Sequence, residues 1–184
     1  MKRIGLVDIG SNTIRLVIFD YSVEIGLQEL QNIKTPARLY QYLDSDKVMS
    51  DKGIDVLCHT LQSFQKVADK FNVDVLYPVA TAAVRQSKNI DAIIARVKAE
   101  TGIDVRIISE EEEAFYGYYA VINTLDYPDG VTVDIGGGST EVTYFEDKEL
   151  KFSHSFPFGV VTLQKLFFDG KGHNDKESIK QARK

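Results

Sequence analysis

The chain has 184 residues, is 43% hydrophobic and 27% charged, and carries a net charge of −5. These values fit one globular domain, or one domain and part of another. They argue against a membrane protein, because no uninterrupted apolar run of about 18 residues exists, and against sequence-independent DNA binding, which needs a basic surface. The single cysteine, Cys58, rules out a disulfide framework and points to the reducing cytoplasm. His59, His154 and His173 lack companions at metal-ligand spacing, so no zinc site is expected. Asp8 interrupts the apolar start too early for a signal peptide.

In chain order, the runs 4–9 and 13–20 predict a hairpin whose polar tip is Gly-Ser-Asn. A third strand falls within 23–33, and 34–50 reads as irregular. Ile54, Leu57, Leu61, Phe64 and Ala68 recur at helical spacing over 52–71. Residues 73–80 form a near-continuous apolar strand, the pattern of a sheet buried on both faces. A helix over 89–101, a strand over 103–108 and a helix over 110–125 complete a βββαβαβα order, an α/β domain. Three more strands follow from 129, joined by tight turns, then a helix over about 160–168. After an Asp-Gly-Lys-Gly turn the sequence closes on another helical pattern, KESIKQARK.

The second cycle repeats the first. VDIGSNTIRLVIFD (7–20) aligns without gaps on VDIGGGSTEVTYFE (133–146), an offset of 134 − 8 = 126. Two copies at this spacing suit two similar domains better than a stacked array. Residues 1–126 are therefore expected to form a first domain. Residues 127–184 are expected to be the first part of a second, incomplete one, within a longer protein.

Chemically, VDIGGGST can bring a ligand close to backbone. Glycines remove the Cβ atoms that would block it, and successive N–H groups form an anion-binding concavity. Gly136, Gly137 and Gly138 supply that backbone, and Ser139 and Thr140 add hydroxyl donors. Asp134 ends one strand and Glu141 begins the next, so the two can flank one Mg²⁺. Gly10, Ser11, Asn12 and Thr13 offer the same equipment in the first copy. A plain hairpin turn capped by Asp134 is the structural alternative, since a lone Gly-rich turn is a weak signal. The duplication favours phosphate binding, with two loops gripping a phosphate chain from both sides.

Duplicated Asp-Gly hairpins in βββαβαβα domains resemble the actin-like ATPase (ribonuclease H-like) superfamily of actin, Hsp70 and sugar kinases. More narrowly, DIGSNTIRLVI, TAAVRQSKN, ISEEEEA, VDIGGGSTE and FPFGVVTL resemble, in order, the exopolyphosphatase and guanosine pentaphosphate phosphohydrolase family. The resemblance spans residues 7 to about 163. It implies Mg²⁺-dependent hydrolysis of terminal phosphoanhydride bonds of polyphosphate, or of the 5′ γ-phosphate of pppGpp, and a homodimer for the full-length protein. Two departures stand out. LYQY at 39–42 replaces a Gly-rich segment, and Glu110 replaces a glycine before the glutamate run.

Within that frame, Thr81 and Arg85 follow the apolar strand, at the edge where ligands bind in open α/β sheets, and Arg85 can meet phosphate oxygens with a fork of donors. Lys88, Arg96 and Lys98 read as a solvated helix face. Arg15 alternates with Ile14 and Leu16. The resemblance places it toward substrate, with a surface salt bridge as the alternative. Ser109 and Glu112 form a capping box, and Glu110 and Glu111 suit the first helical turn. Glu113 has no such structural role. The resemblance places the catalytic glutamate in this segment, just before a small residue, which selects Glu113, with Glu112 as the alternative. Phe115, Tyr116, Tyr118 and Tyr119 read as core and interdomain packing residues. The expected mechanism has Asp134 and Glu141, with Asp8 through water, holding Mg²⁺. Arg85 stabilises the transferred phosphoryl group and Glu113 orients or deprotonates water. The rival readings are a sugar-kinase-like ATPase and a non-enzymatic sensor of polyphosphate or a guanosine tetra- or pentaphosphate.

Overall fold

The computed structural model describes residues 1–168, 172 and 174–183. They fall into two compact units, Met1–Ile108 and Ser109–Lys184. His173 and the start of the expected Asp-Gly-Lys-Gly turn (169–171) lie outside the described residues. Among the described residues no helix is long and apolar enough to cross a membrane.

The first unit is a five-stranded sheet in the order β3-β2-β1-β4-β5. β1 (Lys2–Ile9), β2 (Ile14–Ser22) and β3 (Gly26–Thr35) form an antiparallel meander. β4 (Val75–Ala80) lies parallel to β1, and β5 (Arg106–Ile107) parallel to β4. The helices are α1 (Asp51–Lys70), α2 (Ala82–Arg85) and α3 (Ile90–Thr101). α1 starts where Ser50 accepts a hydrogen bond from the Gly53 N–H, and it buries Ile54, Leu57, Leu61, Phe64 and Ala68 as one stripe. Ile54, Leu57, Leu61 and Phe64 of that stripe join Val7, Ile9, Ile14, Leu16 and Ile18 of the sheet and Ile93 and Val97 of α3 in a single core.

Three expectations change. The strand over 103–108 pairs only at Arg106 and Ile107. Residues 101–104 are held instead as the end of α3: Gly102 adopts φ 72°, Lys98 Nζ donates to the Gly102 carbonyl and Asp104, and the Ile103 N–H donates to Thr101 Oγ1. The sheet is not buried on both faces, since Leu6 and its parallel partner Tyr77 are 38% and 50% exposed. The irregular 34–50 segment contains a 3-10 helix at Leu39–Tyr42, anchored by the fully buried Leu39.

In the second unit α4 (Glu110–Thr124) packs on an antiparallel sheet of β6 (Gly130–Ile135), β7 (Thr140–Glu146) and β8 (Glu149–Phe156). α5 (Val160–Phe167) and α6 (Lys176–Ala182) follow. The sequence repeat resumes near residue 133, whereas the compact unit begins at Ser109 because α4 covers this sheet. Ala114 and Tyr118, four residues apart, form the buried face of α4, and the Tyr118 hydroxyl donates to the Lys148 carbonyl at 2.7 Å. Of the aromatic cluster only Tyr118 is buried. Phe115, Tyr116 and Tyr119 project from the other sides of the helix and are exposed.

Candidate functional site

The two hairpin tips are built alike. In the first, the Gly10 N–H donates to the Thr13 carbonyl at 3.1 Å; in the second, the Gly136 N–H donates to the Ser139 carbonyl at 3.0 Å. These are equivalent positions at the 126-residue offset. A Cβ at Gly10 would stand 2.9 Å from the Thr13 carbonyl oxygen, so this turn requires glycine by close approach.

Each tip is tethered from behind by its carbonyls. The Ser11 and Asn12 carbonyls accept from the Tyr40 and Arg38 N–H groups at 3.0 and 2.8 Å. The Gly136 and Gly137 carbonyls accept from the Val160 and Val161 N–H groups at 3.0 and 2.9 Å. In a planar trans peptide the C=O and the following N–H point in opposite directions. The tethers therefore turn the N–H groups of Asn12 and Thr13, and of Gly137 and Gly138, away from the segment behind each loop. The letters of LYQY, a departure from a Gly-rich segment, give no sign of this role. The glycine in FPFG, just before a helical pattern, was the available signal for the second tether.

The loop hydroxyls are mostly enclosed. Ser11 is 5% exposed, with an Oγ that meets no hydrogen-bond partner among the described residues, and Ser139 is 2% exposed. Thr140 Oγ1 donates to the Phe158 carbonyl at 2.7 Å. Asn12 is exposed, and Thr13 is half-buried.

Thr81 is nearly buried at the start of α2, and its N–H donates to the Ile9 carbonyl, fixing α2 to the end of β1. Arg85 closes α2, and its guanidinium donates to the Ile108 carbonyl at 3.0 Å. Arg15 stands opposite Asp8 in the β1–β2 ladder and donates to Asn32 of β3 at 2.9 Å, an intra-sheet contact. Arg96 pairs with Asp51, Asp55 and Glu100, Lys88 with Asp46, and Lys98 with Asp104. Lys98 is exposed on α3, Arg96 is half-buried there, and Lys88 lies in the turn between α2 and α3. Cys58 is buried, and burial pushes its thiol up to about 11, so it stays protonated at neutral pH.

At α4 the capping box forms as expected. The Ser109 N–H donates to Glu112 Oε2 at 3.0 Å, and the Glu112 N–H to Ser109 Oγ at 3.1 Å. Glu113 is half-buried beside the buried Ala114. Glu110 and Glu111 line a 120 Å³ cavity with Ser153, His154 and Ser155.

Asp134 and Glu141 are directly opposed in the β6–β7 ladder, so both project from one face of the sheet. Asp134 is exposed, while Glu141 is 4% exposed and accepts from the Ser155 hydroxyl at 2.8 Å. Like charges at directly opposed positions repel, and two carboxylates here form a donor set suited to a hard divalent cation. Among the described residues no group of three or more His, Cys, Asp or Glu side chains could hold a metal.

A hairpin-led mixed sheet in the order β3-β2-β1-β4-β5, followed by a second copy of that hairpin, defines an actin-like ATPase fold. The chain belongs to the Ppx/GppA phosphatase family, which matches residues 17–184. It is 32% identical over 163 residues to Exopolyphosphatase 1 of Mycobacterium tuberculosis, covering 88% of this chain and 47% of that protein. Among solved structures, an exopolyphosphatase from Cytophaga hutchinsonii is similar with a TM-score of 0.84 and 30% identity, covering 91% of this chain and 54% of the other. The Aquifex aeolicus Ppx/GppA family member gives a TM-score of 0.78 and 30% identity, covering 98% and 58%. The chain spans about half the length of the curated relatives it matches.

Proposed function

We propose that this chain carries phosphate-binding and catalytic residues for hydrolysis of a terminal phosphoanhydride bond, in polyphosphate or at the 5′ end of pppGpp. The observation that carries the reading is the pair of equivalent hairpin tips, each with its carbonyls drawn back and its N–H groups turned the other way. Such N–H groups suit phosphate oxygens. Family membership and the exopolyphosphatase relatives supply the substrate class. In this reading the loops 10–13 and 136–140 bind the terminal phosphates. Arg85, oriented by its bond to the Ile108 carbonyl, stabilises charge on the transferred group. Glu113 positions or deprotonates the attacking water. It is preferred to Glu112, whose carboxylate serves the α4 cap. Asp134 and Glu141, with Asp8 through water, would hold Mg²⁺, which supplies neutralisation of phosphate charge when bound. Catalysis of this kind rests on positioning and electrostatics.

The test is phosphate release by the whole protein, with Mg²⁺, from long-chain polyphosphate, pppGpp and ATP. Glu113→Gln is expected to lower kcat by about 10²–10⁴-fold, the usual worth of a positioned base. Turnover of ATP alone would favour a kinase-like ATPase. Full activity in Glu113→Gln would move the base to Glu112, and phosphate binding without turnover would favour a sensor.

A further inference from the structure

We propose, resting on the phosphate-binding reading of the second loop, that Thr162 is a positioning residue which sets the direction of the loop's N–H groups. A run of three glycines has no side chain to fix its peptide planes, and glycine visits most of backbone space. Something outside the loop must choose the orientation. The Gly136 and Gly137 carbonyls are held by the first N–H groups of α5, donors that lack partners within the helix itself. Thr162 fixes that first turn. Its Oγ1 accepts from the Gly159 N–H at 2.5 Å and donates to the Gly159 carbonyl at 2.9 Å. Its own N–H reaches the Gly137 carbonyl at 3.3 Å. The side chain is 3% exposed, so it acts through its neighbours and does not reach a ligand itself. Gly159 lets the turn press directly on the loop, because a methyl group there would stand 2.7 Å from the Gly137 carbonyl carbon. One buried hydroxyl thus locks Gly159, Gly159 abuts the loop, and α5 draws two carbonyls back so that the Gly137 and Gly138 N–H groups turn forward.

The test is titration of the ¹⁵N-labelled chain with tripolyphosphate, read at individual backbone amides, for wild type, Thr162→Ser and Thr162→Val. The serine variant keeps the hydroxyl and is expected to bind like wild type. The valine variant is expected to weaken binding at Gly137 and Gly138 about tenfold, the size of one lost hydrogen bond. The responses of Asn12 and Thr13 should persist. A purely structural role would lower the melting temperature of Thr162→Val and leave its Kd below that temperature unchanged; that result overturns the proposal, as does loss of affinity in Thr162→Ser. Amide hydrogen exchange in the wild type needs no variant: Val160 and Val161 should be protected, and unprotected amides there overturn the proposal. No response of wild-type Gly137 and Gly138 to tripolyphosphate would instead sink the phosphate-binding reading itself, and this inference with it.

Discussion

The hairpin β1–β2 and the hairpin β6–β7 correspond position for position at an offset of 126, yet they differ in charge and in backing. Asp8 faces Arg15 in the first, and Asp134 faces Glu141 in the second. One ladder thus places opposite charges across from each other, and the other places two carboxylates. At the far end the contrast repeats. Arg3 holds Asp20 through a two-point contact of 2.8 and 3.2 Å, while the positions 126 residues on are Asp129 and Glu146. Behind the tips, the first loop is tethered at the carbonyls of Ser11 and Asn12 by the 3-10 segment. The second is tethered one equivalent position earlier, at Gly136 and Gly137, by α5. The same frame therefore sets opposite charges across its ladder in one unit and two carboxylates across it in the other.

Breaking the backing of one loop at a time is the strongest way to separate the two. Leu39→Ala should remove a fully buried anchor of the first tether and cost about 2–5 kcal/mol in denaturant unfolding. The amides of Asn12 and Thr13 should shift and those of Gly137 and Gly138 should not. Gly159→Ala should do the reverse, at a cost of about 1–3 kcal/mol for forcing a methyl against the loop backbone. Perturbation of both loops by either change would show that the tethers are not independent.

Smaller effects sharpen the contrast in charge. Glu141→Gln should relieve repulsion from Asp134 and raise stability by about 0.2–1 kcal/mol without divalent cations. It should also abolish any rise in melting temperature on adding Mg²⁺. A Mg²⁺-dependent rise that survives the substitution would remove Glu141 from the cation site. The smallest effect concerns pH. The Arg3 guanidinium, hydrogen-bonded to Asp20, holds that carboxylate below its ordinary range. A depressed folded pKa means that the pair stabilises the folded state above the ordinary aspartate pKa, and that this contribution disappears as pH falls through the lower folded value. Exchange protection in β1–β2 should therefore weaken at the acid end, and Asp20→Asn should remove that dependence. An unchanged profile in Asp20→Asn would assign the acid sensitivity to another group.

Much of this was legible in the sequence because it depends on local pattern. Alternation gave the hairpins, the stripe from Ile54 to Ala68 gave α1, and Ser109 with Glu112 gave the start of α4. The repeat marks Asp8 and Asp134 as equivalent. The errors came where a distant partner decided the outcome. Residues 103–105 look like strand, but the end of α3 holds them out of the ladder. Of the aromatics read as core and interdomain packing, Tyr118 is in the core, while Phe115, Tyr116 and Tyr119 are not, because only the helix face bearing Ala114 and Tyr118 is buried. LYQY shows only as a departure from a Gly-rich segment, and its letters do not reveal that the Tyr40 N–H supports the first tip.

The sequence by itself determined the elements, their order, the duplicated Asp-Gly hairpins and the residue types available for phosphate chemistry. Periodicity, caps and turn residues act over a few positions and can be read without a fold. Only the tertiary structure decided which way the loop peptides point, that Glu141 is buried against Ser155, and that Arg85 is anchored on the Ile108 carbonyl. These depend on hydrogen bonds between residues 14 to 29 positions apart, from Glu141–Ser155 to Ser11–Tyr40, with Asn12–Arg38 and Arg85–Ile108 between. Backbone N–H and C=O groups are the same at every position, so nothing in the residue letters records which carbonyl a given amide will find.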